Sequence, residues 1–428
     1  MPLSSPLHHP IRSLRSIAWA GIRATGLAVM VSALSSIAVA EDWPGFHGLA
    51  AAGVIPKSQL PESLFKQSPK WNLDLSTRDV GSMAIQDGSV YLLATAPAGD
   101  AIRLICVDLQ SGQEKWSHEF PNAPNHLHAR NTLASSTPAT DDKYVYIAHS
   151  DRAQTWVRCL DHSGKVIWSR ELGPAQGQHG FGASPVVHGE TLLLNFSQQA
   201  ERVTDGKPGV SRVYAFNRST GETLWSTAMT STRVCYGTPA VHGSMVIGAN
   251  TGDGLYALAL DSGALLWRLP VFKMRCVSSP IIAGDLVLGS SGSGGGGNHM
   301  VAVKIPRSTA EQPQEVYRIE KGAPYVPTAV VSDGALFTVD DTGIASCFDA
   351  ASGDLEWKKR IGGNFGASPI LIGDQLLLIN LDGEATVLKA SREFEALGKV
   401  DLGGPVGATP AFADGRLLIR VGTELVCY

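Results

Sequence analysis

The sequence lacks the cysteine patterns that mark the common metal and haem sites. It has no Cys-x-x-Cys-His segment, no cysteines at zinc-binding spacing and no adjacent Cys-Cys pair. The first two absences exclude an attached c-type haem and a structural zinc site. The glycine-rich stretch from Ser290 to Asn298 lacks a Gly-Lys-Ser/Thr ending, so it is not a phosphate loop. No apolar run of membrane-spanning length follows residue 40.

The first 40 residues have the features of a signal peptide. Three arginines and no acidic residue precede a run of small apolar residues over 24–38, which ends in Ala38-Val39-Ala40. This pattern predicts cleavage between Ala40 and Glu41 and export to the periplasm or the medium. A membrane anchor is the alternative, but the run is short and rich in Ala and Ser. No cysteine lies near the cleavage site, so a lipid anchor is not expected.

Charge argues against nucleic acid as a partner. The whole chain has 35 basic and 39 acidic residues, and the leader removes three arginines and no acid. The predicted mature chain therefore has 32 basic and 39 acidic residues, a net charge of −7. A protein that binds nucleic acid generally needs a basic balance, so we expect other partners.

A pair of a hydroxyl residue and proline recurs at the start of apolar strands. The intervals between successive prolines are 41 to 54 residues, a period typical of four-stranded propeller blades. Pro327-Thr328 is a variant, and Ser82-Met83 stands in the first position. The other openings are Thr137-Pro138, Ser184-Pro185, Thr238-Pro239, Ser279-Pro280, Ser368-Pro369 and Thr409-Pro410.

A second motif marks the turn between the third and fourth strands. Its pattern is a small apolar residue, Asp or Asn two residues later, then Ser/Thr-Gly and, four residues after the glycine, Trp. Asp or Asn can accept hydrogen bonds from turn amides, and glycine can adopt a positive φ. Its glycines are Gly112, Gly164, Gly221, Gly263 and Gly353, and its tryptophans are Trp116, Trp168, Trp225, Trp267 and Trp357.

These residues resemble the tryptophan-docking motif of the pyrroloquinoline-quinone (PQQ) repeat propellers, over about residues 70–428. The resemblance implies that each Trp packs on the turn of a neighbouring blade. The segments Val303 to Tyr317 and Val387 to Leu397 are degenerate copies, with Leu397 at the Trp position, and we expect weak docking there. The compact ring looks similar to the BamB type, and the start at Asp42-Trp43 resembles exported propellers of planctomycete bacteria.

The count of openings predicts an all-β, eight-bladed propeller with four-stranded antiparallel blades. The chain ends inside the third strand of the last blade, and Trp71 precedes the first blade. We therefore expect the N-terminal strand to complete the C-terminal blade and close the ring. The predicted organisation is a signal peptide (1–40), an N-terminal plug or strap (41–68) and the propeller (69–428), in a monomer.

Four of the six cysteines fill a small apolar position of the repeat. Cys106, Cys159, Cys347 and Cys427 occupy the place of Ala or Val in other blades, so we expect them to be free and buried. Cys235 and Cys276 instead lie three residues before the openings of adjacent blades. Whether a disulfide joins them is left open, because the separation of their Cα atoms decides it and the sequence does not give that distance.

The connections between successive blades carry a surplus of basic residues. On one face of a propeller these connections lead toward the central channel, so the surplus could create a positive mouth. Scattered solvated charges are the alternative, and Asp79 would offset Arg78. The candidate ligand-binding residues are His126, His128, Arg130, Asn131, His179, Arg233, Arg275 and Lys321.

Three functions remain open at this point. The first is a non-catalytic binding or scaffold propeller with an anionic ligand or an envelope protein as partner and no cofactor. The second, which the resemblance implies, is a dehydrogenase that uses PQQ with Ca²⁺; no catalytic residue or calcium ligand of that family can be matched here. The third is binding or processing of an anionic glycan. A fold does not decide between them.

Overall fold

Short antiparallel strands account for nearly all regular structure in this chain. The computed structural model describes residues 42–123, 127–151, 153–200, 208–308 and 310–428. Eight separate sheets each hold four strands of a blade, and one also holds an added short strand. The predicted eight-bladed all-β propeller is thereby confirmed. Among the described residues, no helix has the length and apolar character needed to cross a membrane.

The elements follow one another in a regular order. Before the first blade come η1 (Leu49–Ala51), β1 (Val54–Ile55), α1 (Glu62–Phe65) and β2 (Trp71–Asp74). Blade 1 has β3 (Met83–Gln86), β4 (Ser89–Thr95), β5 (Ala101–Asp108) and β6 (Glu114–Pro121). Blade 2 has β7 (Ala139–Thr140), β8 (Tyr144–Ser150), β9 (Thr155–Asp161) and β10 (Val166–Glu171). Blade 3 has β11 (Val186–His188), β12 (Thr191–Phe196), β13 (Arg212–Asn217) and β14 (Thr223–Ala228). Blade 4 has β15 (Ala240–His242), β16 (Met245–Asn250), β17 (Gly254–Ala259) and β18 (Leu265–Leu269).

The second half of the ring repeats the arrangement. Blade 5 has β19 (Ile281–Ala283), β20 (Leu286–Ser291), β21 (His299–Lys304) and β22 (Gln314–Ile319). Blade 6 has β23 (Val330–Ser332), β24 (Ala335–Val339), β25 (Ile344–Asp349) and β26 (Leu355–Arg360). Blade 7 has β27 (Ile370–Ile372), β28 (Gln375–Ile379), β29 (Glu384–Lys389) and β30 (Ala396–Asp401). Blade 8 has β31 (Ala411–Ala413), β32 (Arg416–Val421) and β33 (Glu424–Cys427).

Burial follows the position of a strand within its blade. The second strand β4 is buried along almost its whole length, because both of its faces meet other parts of the protein. The outer strand β26 is mostly exposed and buries Trp357 between exposed neighbours. Continuous apolar runs are typical of strands covered on both faces, and alternation is typical of half-exposed strands. The core is therefore a series of clusters between blades.

The N-terminal strand closes the ring, as predicted. β2 pairs antiparallel with β33, and Trp71 lies opposite Cys427. Blade 8 is thus completed by a strand from the other end of the chain. Arg420 and Asp79 lie 3.5 Å apart, and both side chains are buried. Arg420 also donates to the carbonyls of Gly81 and Leu93, so blade 8 is fastened to blade 1.

The hydroxyl residues that open the strands are joined by hydrogen bonds around the channel, except that no bond among the described residues links Ser184 to Thr238. The backbone N–H of Thr137 donates to Ser184 Oγ at 3.0 Å. Ser82 Oγ donates to the Thr409 carbonyl at 2.6 Å and joins the last blade to the first. Where a proline follows the hydroxyl residue, it has no backbone N–H, so no unpaired donor lies beside the bond. The same N–H to hydroxyl bond joins Ser82 to Thr137, Thr238 to Ser279, Ser279 to Thr328, Thr328 to Ser368 and Ser368 to Thr409.

Aromatic side chains of the outer strands fasten most of the blades to the next one. Trp225 Nε1 donates to the Leu260 carbonyl at 2.9 Å, in the motif turn of blade 4. Tyr317 makes the equivalent bond with its hydroxyl. A Cβ at Gly164 would lie 3.0 Å from the Trp116 ring, and the φ of this glycine is +88°. Glycine is required because both the space and the backbone angle exclude a side chain. The same indole bond is made by Trp71, Trp116, Trp168 and Trp357.

The turn of blade 5 does not provide the usual acceptor. Trp267 Nε1 has no hydrogen-bond partner among the described residues, although the side chain is buried. The turn that follows it in the ring lies in the degenerate copy Val303 to Tyr317, which lacks the motif glycine. The Trp267 indole therefore packs there without the hydrogen bond from its N–H to a backbone carbonyl.

In blade 7 the structure places a different residue at the Trp position of the motif than the sequence predicted. Gly398 lies opposite Val387, in the register where Trp357 lies opposite Cys347. The prediction that Leu397 takes the Trp position was therefore wrong by one residue, because the bulge that shifts the outer strand is not visible in the letters. A Cβ on Gly398 would lie 3.5 Å from Phe65. An aromatic ring from α1 thus packs where this blade lacks its own.

The segment before β2 lies across the end of the channel where the first and second strands of the blades meet. Trp43 exchanges backbone hydrogen bonds with Ile85 of blade 1. His47 Nε2 lies 2.8 Å from the Pro369 carbonyl of blade 7. β1 then adds to β27 in parallel. Because Trp43 and His47 are fully buried, the segment forms a plug in the channel.

Candidate functional site

The blade connections and the turns between second and third strands lie at the end of the ring opposite the plug. We call this end the loop face. The strand directions require this, since each connection leaves an outer strand and enters the next inner strand, whose far end holds the Trp43 contact with Ile85. From there the plug extends along the inner strands as far as the Pro369 carbonyl, just before β27.

The first two connections are tied together by backbone carbonyls. Asn131 Nδ2 donates to the carbonyls of His179 and Phe181 at 2.6 and 3.3 Å. The rings of His128 and His179 meet edge to face, with centroids 4.7 Å apart. Asn131 therefore holds the loops in place, while His128 lies exposed at the surface. His126 lies outside the described residues.

The predicted cations of the loop face divide into two groups. Arg275 is buried, and its Nε donates to the Val234 carbonyl at 2.9 Å, so it braces the connections. Arg130 and Lys321 are exposed, and Arg233 is half-buried. Arg130, Arg233 and Lys321 make no ion pair with any described residue. Their positive charge thus lies at the rim of the loop face without a close ion pair, although the charge of Arg130 acts on the nearby carboxyl of Asp341.

The charge of Asp79 does not offset that of Arg78, as the sequence predicted it would. Asp79 turns inward, where it accepts hydrogen bonds from Thr77 and Thr95 and faces Arg420. It is buried, whereas Arg78 is exposed. The expectation that Asp79 neutralises Arg78 was wrong, because the carboxylate serves the contact between blades 8 and 1. Arg78 adds to the positive rim.

One carboxylate of the loop face has an oxygen without a partner. Asp341 Oδ2 accepts the backbone N–H groups of Tyr325 and Val326 at 2.8 and 3.4 Å. Its Oδ1 is buried and has no hydrogen-bond partner among the described residues. Burial raises the pKa of Asp341, and the nearby charge of Arg130 acts against this. Arg130 and Asp341 therefore face each other without forming a close pair.

Aromatic residues that the sequence reasoning did not select lie in the blade connections. The Tyr236 hydroxyl donates to the Gly180 carbonyl at 3.0 Å. Burial raises the pKa of Tyr236, so its phenol stays neutral. A recurring signal was available, because Phe181, Tyr325 and Phe365 each lie three residues before an opening hydroxyl residue. The cleft beside Tyr236 has a volume of about 10 Å³, about the space of one water.

PQQ with Ca²⁺ does not fit the described residues of this face. A calcium ion takes six to eight oxygen ligands, usually including carboxylates. No group of three or more His, Cys, Asp and Glu side chains among the described residues could hold a metal ion. Asp341 already uses one oxygen on two backbone amides. The cleft is also far smaller than the chambers of about 300 Å³ or more that enclose organic ligands.

Family comparison agrees with this architecture. The model of a family described as "Outer membrane protein assembly factor BamB" matches residues 209–310 and 307–393. No curated protein matches the sequence. The matched residues lie in blades 3 to 7, and the eight-bladed ring is similar to the PQQ-like propellers.

Solved structures similar to this chain include both dehydrogenases and an assembly factor. A europium-containing methanol dehydrogenase has a TM-score of 0.66 at 13% identity and covers 89% of each chain. BamB from Moraxella catarrhalis has a TM-score of 0.59 at 13% identity, with 84% of this chain and 98% of that chain covered. The quinohemoprotein alcohol dehydrogenase from Comamonas testosteroni has a TM-score of 0.65 at 14% identity, with coverages of 90% and 80%. At these identities the likeness shows the fold alone.

Proposed function

We propose that this chain is a non-catalytic binding propeller whose loop face takes an acidic segment of a partner protein. The observation that carries the proposal is the combination of a plugged channel with unpaired cations at its open rim. Trp43 and His47 fill the channel from below, and Arg130 and Lys321 stand exposed above it. Positive groups at a rim attract anionic partners even when the protein as a whole is acidic.

The shape of the face favours a macromolecule over a small ligand. Small molecules and cofactors bind in cavities that enclose most of their surface, whereas proteins recognise broad and shallow surfaces. The cleft at the mouth holds about 10 Å³, and the connections around it are braced by Asn131 and Arg275. A braced, shallow and basic surface suits an extended acidic segment.

The predicted leader supports a place of action outside the cytoplasm. The family match to an outer-membrane assembly factor agrees with export. Residues 1–41 lie outside the described part of the chain, so the cleavage site remains a prediction. N-terminal sequencing of the exported protein should begin at Glu41.

The test compares charge reversals on the two ends of the ring. The full mature chain is titrated calorimetrically with a poly-glutamate peptide, and Arg130→Glu with Lys321→Glu should weaken binding about tenfold or more. Lys143→Glu with Lys165→Glu is the matched control, since both lysines are exposed in turns at the plug end. That control should bind as the unmodified chain does.

The same titration with other ligands tests the other two functions. An oligogalacturonate that binds while poly-glutamate does not would favour the glycan function. Tight binding of PQQ that depends on Ca²⁺ would favour the dehydrogenase. Equal weakening by both pairs of substitutions would remove the loop face as the binding surface.

A further inference from the structure

Two buried cysteines meet beneath the loop face, where the connections into blades 4 and 5 run side by side. Tyr236 N donates to the Cys276 carbonyl at 2.9 Å, and Cys276 N donates to Cys235 Sγ at 3.3 Å. Both thiols are free, and their side chains interact directly. The backbone bonds between the two connections therefore hold one sulfur against the other.

A hydroxyl lies beside the Cys235 sulfur. Thr251 Oγ1 lies 3.4 Å from Cys235 Sγ and donates to the Met274 carbonyl at 3.0 Å. That carbonyl also accepts a hydrogen bond from Ser291 at 2.8 Å, as its two lone pairs allow. The donor to the Cys235 sulfur is therefore the Cys276 amide, and a hydrogen bond of this kind favours the thiolate.

The two thiols differ in acidity. Burial acts to raise the pKa of Cys235, but hydrogen bonds, chiefly those from Cys276, outweigh it and lower the pKa to about 6. Burial and the neighbouring Cys235 raise the pKa of Cys276. Cys235 is therefore the more acidic thiol of the pair. By contrast, burial raises the pKa of Cys106 and of Cys347 to about 11.

A narrow cleft lies beside Cys235. Cys235 lines the cleft of about 10 Å³ together with Tyr236 and the backbone of the glycine-rich connection 175–183. A space of this size admits a molecule about as large as water and excludes a larger thiol or disulfide. Hydrogen peroxide is an oxidant of that size class, and it reacts with thiolates.

We propose that Cys235 and Cys276 form a peroxide-reactive site in which Cys235 attacks and Cys276 resolves. The Cys235 thiolate bonds to one peroxide oxygen, the O–O bond breaks, and the leaving hydroxide takes up a proton to become water. Cys235 is then a sulfenic acid. Cys276 sulfur bonds to Cys235 sulfur, the S–O bond breaks, and a second water leaves with the Cys276 proton. Two thiols are oxidised to a disulfide, and one peroxide is reduced to two waters.

This site is separate from the rim cations, and neither proposal depends on the other. The disulfide would join the connections that carry Arg233 and Arg275. The same pair was left open in the sequence, where only its position in adjacent blades was visible. The structure adds the donor, the contact and the cleft.

The first experiment treats the full mature chain with hydrogen peroxide at pH 7 after reduction and removal of the reductant. Two of the six thiols should be lost, and peptide mapping should find Cys235 linked to Cys276. In Cys276→Ser, Cys235 should be trapped as a sulfenic acid when the peroxide-treated chain is unfolded in the presence of dimedone, whereas Cys235→Ser should consume no peroxide by this route. Cys347→Ser is the matched control and should react as the unmodified chain does.

A pH profile on the unmodified chain decides the question even where a variant fails to fold. Because the pKa of Cys235 is lowered, its thiolate is available at a lower pH than that of an ordinary cysteine, and the rate should level off at a correspondingly lower pH. The rate should be nearly level above pH 7 and should fall below pH 6. Retention of all six thiols, a link between other cysteines, or a rate that climbs about tenfold per pH unit from 6 to 9 would overturn the proposal.

Discussion

At the scale of single residues, the indole hydrogen bond separates two otherwise similar tryptophans. Trp225 and Trp267 are equally buried, but Nε1 has an acceptor, the Leu260 carbonyl, in Trp225 alone. Trp225→Phe should lower the free energy of unfolding by about 1 kcal/mol more than Trp267→Phe does, because it alone loses a hydrogen bond. Denaturant unfolding of the two variants measures the difference. Equal losses would mean that packing alone accounts for the docking contact.

A buried histidine between blades 1 and 2 makes stability depend on pH. His149 Nδ1 lies 3.0 Å from Asn122 Oδ1, and Arg158 Nε donates to its Nε2 at 3.2 Å. Burial, with the charge of Arg158, lowers the pKa of His149 to about 3. The folded pKa lies below the unfolded one, so the contribution is complete above about pH 6.5 and is lost as the pH falls toward 3.

The expected size follows from proton linkage. Between pH 7 and pH 5 the unfolded chain takes up this proton while the folded chain does not, which costs about 2 kcal/mol. His149→Gln should remove this part of the pH dependence in urea unfolding. His188→Gln, at an exposed histidine, should leave it in place. An unchanged slope in His149→Gln would show that the imidazole takes up its proton in the folded state.

At the scale of elements, the closing strand depends on one glycine. Gly112 has a φ of +73°, and a Cβ there would overlap the Trp71 ring of β2. Gly243 has a φ of +57° but open space around it. Both substitutions to Ala incur the backbone strain of about 1–2 kcal/mol. Gly112→Ala should cost about 2 kcal/mol more because the ring is displaced.

Proteolysis tests the same contact from the other side. Displacing Trp71 should loosen β2, so limited proteolysis should cut near residue 75 faster in Gly112→Ala than in Gly243→Ala. Equal cutting rates would show that the pairing of β2 with β33 holds the strand without its indole.

The elements also show what the sequence could predict. The spacing of Thr137, Ser184 and the later openings predicted eight blades, because an inter-blade hydrogen bond requires a hydroxyl at each inner strand. The closing strand followed from the unmatched Trp71. Gly398 and Phe65 could not be predicted, since the bulge and the docking of α1 depend on three-dimensional contacts between distant segments.

At the scale of the whole molecule, the site was harder to predict than the ring. Residue type identified Arg130 and Lys321 as cations of one face, but it could not separate them from Arg275, which is buried. Nor could it show that Asp79 turns away from Arg78 toward Arg420. Exposure and pairing arise from loop conformations, which the repeat pattern does not encode. A plug or a strap was expected before the propeller, and the segment contacts blades 1 and 7.

The closing strand sets an order on biosynthesis. Asn72 of β2 contacts Glu424 beside β33 across 352 residues of sequence. During synthesis β2 has no partner until almost the entire chain has been made, so its edge must stay unpaired for the whole of elongation. Such distant pairing is slow and leaves strand edges open to wrong partners. A chaperone that holds the chain near residue 71 would therefore matter more to the yield of this protein than one that acts on any later blade.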